Sequence, residues 1–185
     1  MMEQRIGTDT RMEEERRLPS WERLPDIDLY MDQVLLLVDR SLRGFPGYGE
    51  RGLTASMVNN YVKQGVLPPP VKKRYGREHL ACLLMICVLK PALPISAIKA
   101  VTERQLATSP LRQVYSDFRR IYGETAAAVS AERLRDTAAG DGAEEIWRAA
   151  LRAAEEQALA ARLYHERFEP DTGRSDVSEA VANGE

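Results

Sequence analysis

Four polar residues between positions 56 and 63 have types and spacing suited to reading the edges of base pairs. At about 100° per residue, they share one half of a helix: Ser56, Asn59, Asn60 and Lys63. Apolar residues share the opposite half: Met57, Val58, Tyr61 and Val62. An asparagine amide pairs bidentately with adenine, and a lysine reaches guanine or a phosphate. We therefore expect the polar half to contact bases in a major groove.

A basic segment follows this helix and has the chemistry of a phosphate-binding surface. It begins after the prolines at 68–70 and runs from Val71 to Arg77, a stretch too polar for a core. This segment predicts a basic hairpin or wing. The residues predicted to contact DNA phosphates are Thr54, Lys72, Lys73, Arg74, Tyr75 and Arg77. Phosphate contacts fix the position of a protein on the duplex without reading bases, and Tyr75 either contacts a sugar or closes the base of the wing.

The charge distribution concentrates positive charge in the middle of the chain, although the net charge is −2. Residues 1–50 carry 7 basic and 11 acidic side chains, residues 51–104 carry 9 and 2, and residues 105–185 carry 10 and 15. All the lysines lie in the middle part. A basic island of this kind indicates a polyanionic partner, while drift in composition also produces charge asymmetry.

The helix that carries the polar half has a defined start and end. Thr54 is suited to cap its N-terminus, and Leu53 is suited to pack on Val58. Gly65 is suited to the left-handed conformation that ends a helix, and the prolines after it prevent continuation. An earlier helix is predicted between residues 26 and 42, followed by a loop of roughly ten residues rich in glycine and proline.

The rest of the periodic sequence is also helical. Residues 77–90 are apolar nearly all round, which predicts a helix buried on several sides at the centre of the core. A short helix is predicted over residues 95–106. An amphipathic helix begins at Leu111, and we expect it to end at Gly123.

The last predicted helix covers residues 143–168, which is 26 positions and about 39 Å. Its apolar residues follow an alternating four-three register: Trp147, Leu151, Ala154, Ala158, Ala161 and Phe168. Such a register needs a partner. The partner is either the preceding helix of the same chain or the same helix across a two-fold axis, and the many alanines permit close approach in both cases.

Signals of enzymatic chemistry are weak in this sequence. Residues 47–52 match G-x-G-x-x-G, but no strand precedes them, and Lys72 and Lys73 stand where a ribose-binding acid is expected. His79 and His165 are isolated, as surface or packing histidines usually are. We therefore expect no catalytic activity and no cofactor.

The two cysteines do not form a metal or disulfide framework. Cys82 and Cys87 are five positions apart in an apolar helix, where a thiol acts as a small hydrophobic group. A thiol sensor remains an alternative. We expect no metal site.

Four parts are predicted along the chain: a disordered arm over 1–17, a winged-helix domain over 18–106, a helical region over 107–169 that offers a dimerisation element, and a disordered tail over 170–185. The N-terminus has no apolar signal region. The longest apolar run, Leu80 to Leu89, has ten residues, whereas crossing a bilayer takes about 20. We expect a cytoplasmic protein.

The run SMVNNYVKQGVLPP at 56–69 resembles the recognition helix of MerR-type regulators, which ends in a tyrosine, three residues and Gly-Leu-Leu-Pro-Pro. The run KRYGREHL at 73–80 is similar to the step from that family's wing into its next helix. More closely, LPSWERLPDIDLYMDQV together with LTASMVNNYVKQGVLPPPVKKRYGREHL resembles an uncharacterised bacterial family, domain of unknown function 1836. The resemblance covers residues 18–104.

These resemblances imply an all-α fold with a small β wing, in which a MerR-like winged helix-turn-helix precedes the C-terminal helices. They also imply a transcriptional regulator that binds double-stranded DNA as a homodimer. The C-terminal cysteine cluster of metal-sensing members is absent, so no metal role is implied. The alternative is a non-enzymatic helical module that uses the same basic face to dock an acidic protein partner.

Overall fold

The computed structural model describes residues 17–45, 48, 52–136 and 142–168. A single 3-10 turn at Trp21–Arg23 precedes the helices. The helices of the described residues are α1 (Met31–Leu42), α2 (Ala55–Lys63), α3 (Arg77–Leu89), α4 (Ile95–Leu106), α5 (Leu111–Asp136) and α6 (Gly142–Phe168). The described residues contain no strand, only two isolated antiparallel bridges, Leu29 with Tyr75 and Val71 with Arg74. The predicted all-α fold is confirmed.

The core is built around α3. Every residue from His79 to Cys87 is buried, so this helix has no solvent-facing side over more than two turns. It packs against α1, α4 and α5. An apolar helix can be covered on all sides only at the centre of a bundle, and the prediction made from its composition is confirmed.

The helices around α3 are two-sided. In α1, Val34, Val38 and Leu42 are buried, and their spacing of four residues places them on one stripe. In α2, Val58 and Tyr61 are buried. Each of these helices therefore keeps its opposite side free for solvent or for a ligand.

The prediction that Gly123 ends a helix is wrong. Helix α5 continues through Gly123 to Asp136, and Gly123 is not among the described glycines with positive φ. A glycine ends a helix when it adopts the left-handed conformation; inside a helix it only costs about 1 kcal/mol relative to alanine. Three alanines at 126–128, which have the highest helix propensity, follow within the next five residues and favour continuation of the helix.

An N-terminal strap, residues 17–24, lies across α5. The Tyr115 hydroxyl donates to the Pro19 carbonyl at 2.8 Å, and Arg119 Nε donates to the Leu18 carbonyl at 2.7 Å. Leu18 is buried in the core. The side chains of α5 thus satisfy backbone carbonyls of a segment that has no regular structure of its own.

Helix α6 differs from the others because none of its residues is buried. Its described contacts with the body include an ion pair between Arg152 and Glu132 at 3.0 Å and Arg104 stacked over the Phe168 ring at 5.6 Å. None of the described helices is both long and apolar enough to span a membrane. The predicted disordered arm and tail lie outside the described residues, apart from Arg17.

Candidate nucleic-acid interface

The polar half of α2 is exposed as predicted. Thr54 caps the helix, since its Oγ1 accepts from the backbone N–H of Met57 at 3.3 Å. The buried side chains of Val58 and Tyr61 anchor the helix on the core. The exposed polar residues, called the asparagine edge below, are Ser56, Asn59, Asn60 and Lys63. Met57, predicted to lie on the apolar half, is 37% exposed at the border between the two halves.

The C-terminal end of α2 is fixed by its backbone. Gly65 has φ of +69°, the predicted left-handed conformation. The backbone N–H groups of Val66 and Leu67 both donate to the Tyr61 carbonyl, at 3.1 and 3.2 Å, and Leu67 is buried. The chain therefore leaves α2 in one defined direction before it enters the prolines.

The basic segment forms a tight turn with two lysines at its tip. The N–H of Val71 donates to the Arg74 carbonyl at 3.1 Å, and the N–H of Arg74 donates to the Val71 carbonyl at 2.9 Å. Between them, Lys72 and Lys73 both have positive φ, 51° and 63°. Two central residues with positive φ are the pattern of a type I′ hairpin turn, which favours Asn-Gly. We call this feature the Lys72–Lys73 turn.

The turn is held against the segment before α1. The N–H of Leu29 donates to the Tyr75 carbonyl at 2.9 Å, and the N–H of Tyr75 donates to the Leu29 carbonyl at 2.9 Å. The guanidinium of Arg74 donates to the Tyr30 hydroxyl at 2.8 Å and lies 4.5 Å from the centre of its ring. Tyr30 is half exposed, so Arg74 stacks on it at the surface.

Two residues predicted to contact phosphates have contacts within the protein. Tyr75 is only 3% exposed and packs edge-on against the His79 ring, which fits the alternative that it closes the base of the wing. Arg77 Nε donates to the Leu24 carbonyl at 3.1 Å, and its guanidinium pairs with Asp26 at 3.5 Å. The other residues predicted to contact phosphates, Thr54, Lys72, Lys73 and Arg74, are all exposed.

His79 ties the two ends of the basic segment together. Its Nδ1 accepts from the Gly76 N–H at 3.1 Å, which leaves Nε2 to carry the proton and to donate to the Pro69 carbonyl at 3.3 Å. Pro69 precedes the segment and Gly76 follows it. The histidine thus acts as a packing and clamping residue, and no local sequence pattern distinguishes this role.

The sequence alone did not single out Tyr30 or Lys99 as parts of this surface. Lys99 Nζ lies 3.1 Å from the position that a Cβ on Gly65 would occupy, and it also approaches Glu103 Oε1 at 3.8 Å. An additional cation therefore lies at the C-terminal end of α2. The contact of Tyr30 with Arg74 and the contact of Lys99 with Gly65 each join residues more than 30 positions apart. Local sequence patterns do not reveal such contacts.

The cysteines are unsuited to sensing. Burial raises the pKa of the Cys87 thiol to about 12, and burial together with the nearby Glu78 carboxylate raises that of Cys82 to about 11. The thiolate is the reactive form, and it is disfavoured here. Cys87 lines a small cavity of about 180 Å³ between α2 and the end of α3, where it packs as a hydrophobic group.

Comparisons with known proteins show to which family the chain belongs. Searches of curated proteins and of solved structures gave no match. A family model, Domain of unknown function (DUF1836), matches residues 19–122. The match runs from the N-terminal strap through the Lys72–Lys73 turn and α4 into α5, so it includes all of α1 to α4 and the first part of α5. The chain belongs to the DUF1836 family.

Proposed function

We propose that this protein binds double-stranded DNA as a transcriptional regulator with a MerR-like winged helix. In this proposal the asparagine edge of α2 enters the major groove, where Asn59 and Asn60 read adenines and Lys63 reaches guanine or a phosphate. The Lys72–Lys73 turn and Arg74 contact the phosphate backbone and set the position of α2.

The observation that carries the proposal is the conformation of the two lysines. A side chain in the left-handed conformation costs roughly 1–2 kcal/mol per residue, and Asn-Gly would avoid most of that cost in a type I′ turn. Lys72 and Lys73 nevertheless occupy both central positions, fully outside the core. Strained backbone conformations cluster at binding and active sites, which supports a binding role for the two lysines.

The surroundings of the turn support a phosphate partner. Neither Lys72 nor Lys73 has an ion-pair partner among the described residues, whereas Arg112 pairs with Glu22 and Arg120 pairs with Glu124. When a cation without a carboxylate partner binds a phosphate, it releases only water and counterions. Counterion release is the main source of affinity in such contacts.

Replacing the two lysines by the preferred turn residues, K72N/K73G, separates binding from folding. The double variant should unfold at a higher denaturant concentration than the wild type, because the strain of the turn is relieved. It should also bind a mixed-sequence duplex more weakly in gel shifts at low salt. A control that removes two paired cations, R112Q/R120Q, should retain binding. Wild-type affinity in K72N/K73G would overturn the phosphate role.

A substitution in the asparagine edge tests whether α2 reads bases. Selection of bound sequences from random duplex DNA should return a preferred site, which N59A should no longer distinguish from random sequence. Binding of N59A should remain sensitive to salt, since its phosphate contacts are intact. A wild-type chain that gives no shift with any duplex at low salt would favour the alternative, an adapter that docks an acidic protein partner.

A further inference from the structure

An exposed tyrosine and an exposed arginine meet beside the Lys72–Lys73 turn. The guanidinium of Arg74 donates to the Tyr30 hydroxyl at 2.8 Å and lies 4.5 Å from the centre of its ring. Both side chains lie at the surface. We infer that Tyr30 and Arg74 form one composite site for a phosphate group, to which the hydroxyl and the guanidinium both donate. That this phosphate belongs to a DNA backbone rests on the proposed function.

The backbones of the two residues are fixed by hydrogen bonds. The N–H of Tyr30 donates to Gln33 Oε1 at 2.9 Å, and the carbonyl of Tyr30 accepts from the N–H of Val34 at 3.0 Å. Arg74 exchanges two backbone hydrogen bonds with Val71, at 2.9 and 3.1 Å. The two side chains therefore start from fixed positions and already touch each other, so a ligand loses little affinity by ordering them.

Both groups keep hydrogen-bond donors free for a ligand. The Tyr30 oxygen accepts from Arg74, so its own hydrogen is available for donation, and no acceptor for that hydrogen lies among the residues that the structure describes. A guanidinium also carries more N–H donors than the one that Arg74 gives to Tyr30. Since Arg74 Nη2 and the Tyr30 oxygen lie 2.8 Å apart, a single phosphate reaches both. Charge-assisted hydrogen bonds of this kind favour an anionic acceptor.

The charge of Arg74 is not neutralised within the described part of the chain. The guanidinium of Arg77, three residues later, pairs with Asp26 at 3.5 Å, whereas Arg74 forms no ion pair with any described residue. The aspartates that flank Tyr30 in the sequence do not pair with it either. A tyrosine hydroxyl holds a guanidinium in place without cancelling its charge, which a carboxylate in the same position would do. The charge is therefore left for an anion from outside the chain.

The composite site lies on the solvent side of the wing. Because Leu29 pairs with Tyr75 in an antiparallel bridge, the residue after Leu29 lies opposite the residue before Tyr75. These two residues are Tyr30 and Arg74, and opposite side chains of such a pair share one face. The lysines of the turn directly precede Arg74. The site therefore adds a phosphate contact beside those that we assign to the two lysines.

Binding of inorganic phosphate tests the site without DNA. In nuclear magnetic resonance spectra of the full chain with labelled arginines, phosphate should give a saturable shift of the Arg74 Nε–Hε signal that sodium chloride of matched ionic strength does not give. Y30F keeps the aromatic ring but removes the hydroxyl, so it should require a several-fold higher phosphate concentration. The signal of Arg40, an exposed arginine of α1, reports non-specific association. An Arg74 signal that does not saturate, or the same titration in Y30F, would overturn the inference.

A double-mutant cycle on duplex binding separates this inference from the proposed function. In gel shifts with a mixed-sequence duplex, Y30F should bind several-fold more weakly than the wild type with the same salt dependence, since no charge is removed. In an R74K background the same change should have almost no effect, because a lysine does not form the stacked and hydrogen-bonded pair.

The outcomes of the two experiments are distinguishable. Wild-type duplex affinity in Y30F, or an equal loss in both backgrounds, would overturn the contact of this site with DNA and leave the proposed function standing. A chain that binds phosphate at Arg74 but binds no duplex would support the site and overturn the proposed function.

Discussion

Helices α3 and α6 show how differently two helices serve one chain. Helix α3 has 13 residues, nine of them buried, whereas α6 has 27 residues and none buried. The shorter helix therefore holds the body together, and the longer one contributes almost nothing to it. Length and alanine content make α6 helical, but only burial against other elements makes a helix part of the core.

The largest expected effect is the difference in unfolding free energy between one substitution in α3 and one substitution in α6. Leu84→Ala in α3 removes a fully buried side chain and should cost about 2–5 kcal/mol of unfolding free energy. Leu151→Ala in α6 shortens a side chain that is 69% exposed and should change it by no more than about 0.5 kcal/mol. Urea unfolding followed by circular dichroism measures both. Comparable losses at the two sites would mean that α6 is part of the cooperative core.

Alkaline pH should lower the stability of the fold through the two cysteines of α3. The pKa of Cys87 is raised to about 12 and that of Cys82 to about 11, so the folded state keeps both thiols neutral. Since an unfolded thiol ionises near its ordinary pKa, stability is fully present below that pH and falls as the pH rises toward the folded pKa values. The slope should approach about 1.4 kcal/mol per pH unit for each thiol.

Cys87→Ala is the matched test of that slope. Chemical unfolding at a series of alkaline pH values should show that the variant loses stability less steeply than the wild type, by about one proton. Its lower stability at neutral pH, from the smaller side chain, does not affect the comparison of slopes. An unchanged slope would mean that Cys87 does not ionise on unfolding in this range.

Two glycines should respond in opposite directions. Gly65 has positive φ and Lys99 Nζ lies 3.1 Å from its Cβ position, so Gly65→Ala should destabilise the fold by roughly 1–2 kcal/mol. Gly123 lies inside α5, and a Cβ there would meet nothing within 4 Å. Gly123→Ala should therefore stabilise by up to about 1 kcal/mol. Thermal unfolding of the two variants measures the contrast, and equal signs would contradict it.

The smallest expected effect concerns the cap of α2. Thr54→Ala removes the acceptor of the Met57 N–H and should cost about 1 kcal/mol, whereas Thr54→Asn should preserve the cap. Ser56→Ala, two residues further along on the asparagine edge, should leave stability nearly unchanged. Urea midpoints of the three variants provide the measurement, and a Ser56→Ala loss as large as that of Thr54→Ala would contradict the assignment of the cap.

Features with a local cause could be predicted from the sequence. The apolar composition of residues 77–90 predicted the buried helix, Thr54 predicted the start of α2, and Gly65 predicted its end. In each case the cause is a propensity or a hydrogen bond within a few residues. The bounds of α4 agree with the prediction for the same reason.

Features with a distant cause could not be predicted. The sequence left open whether Tyr75 contacts a sugar or closes the base of the wing, because the backbone pairing with Leu29 that turns its ring into the core joins distant residues. The hydrogen bond from Arg77 to the Leu24 carbonyl likewise joins residues that are far apart in the sequence. The left-handed conformation of Lys72 and Lys73 could not be foreseen, because their residue types oppose it.

The salt dependence of duplex binding tests the phosphate role of the Lys72–Lys73 turn most directly. Fluorescence anisotropy with a labelled duplex between about 50 and 200 mM salt should show a linear fall of log affinity with log salt. At about 0.9 per phosphate contact, K72Q/K73Q should have a slope less steep than the wild type by about 1.8 per protomer bound. Equal slopes for the two proteins, or no binding by the wild type at about 50 mM salt, would contradict the phosphate role.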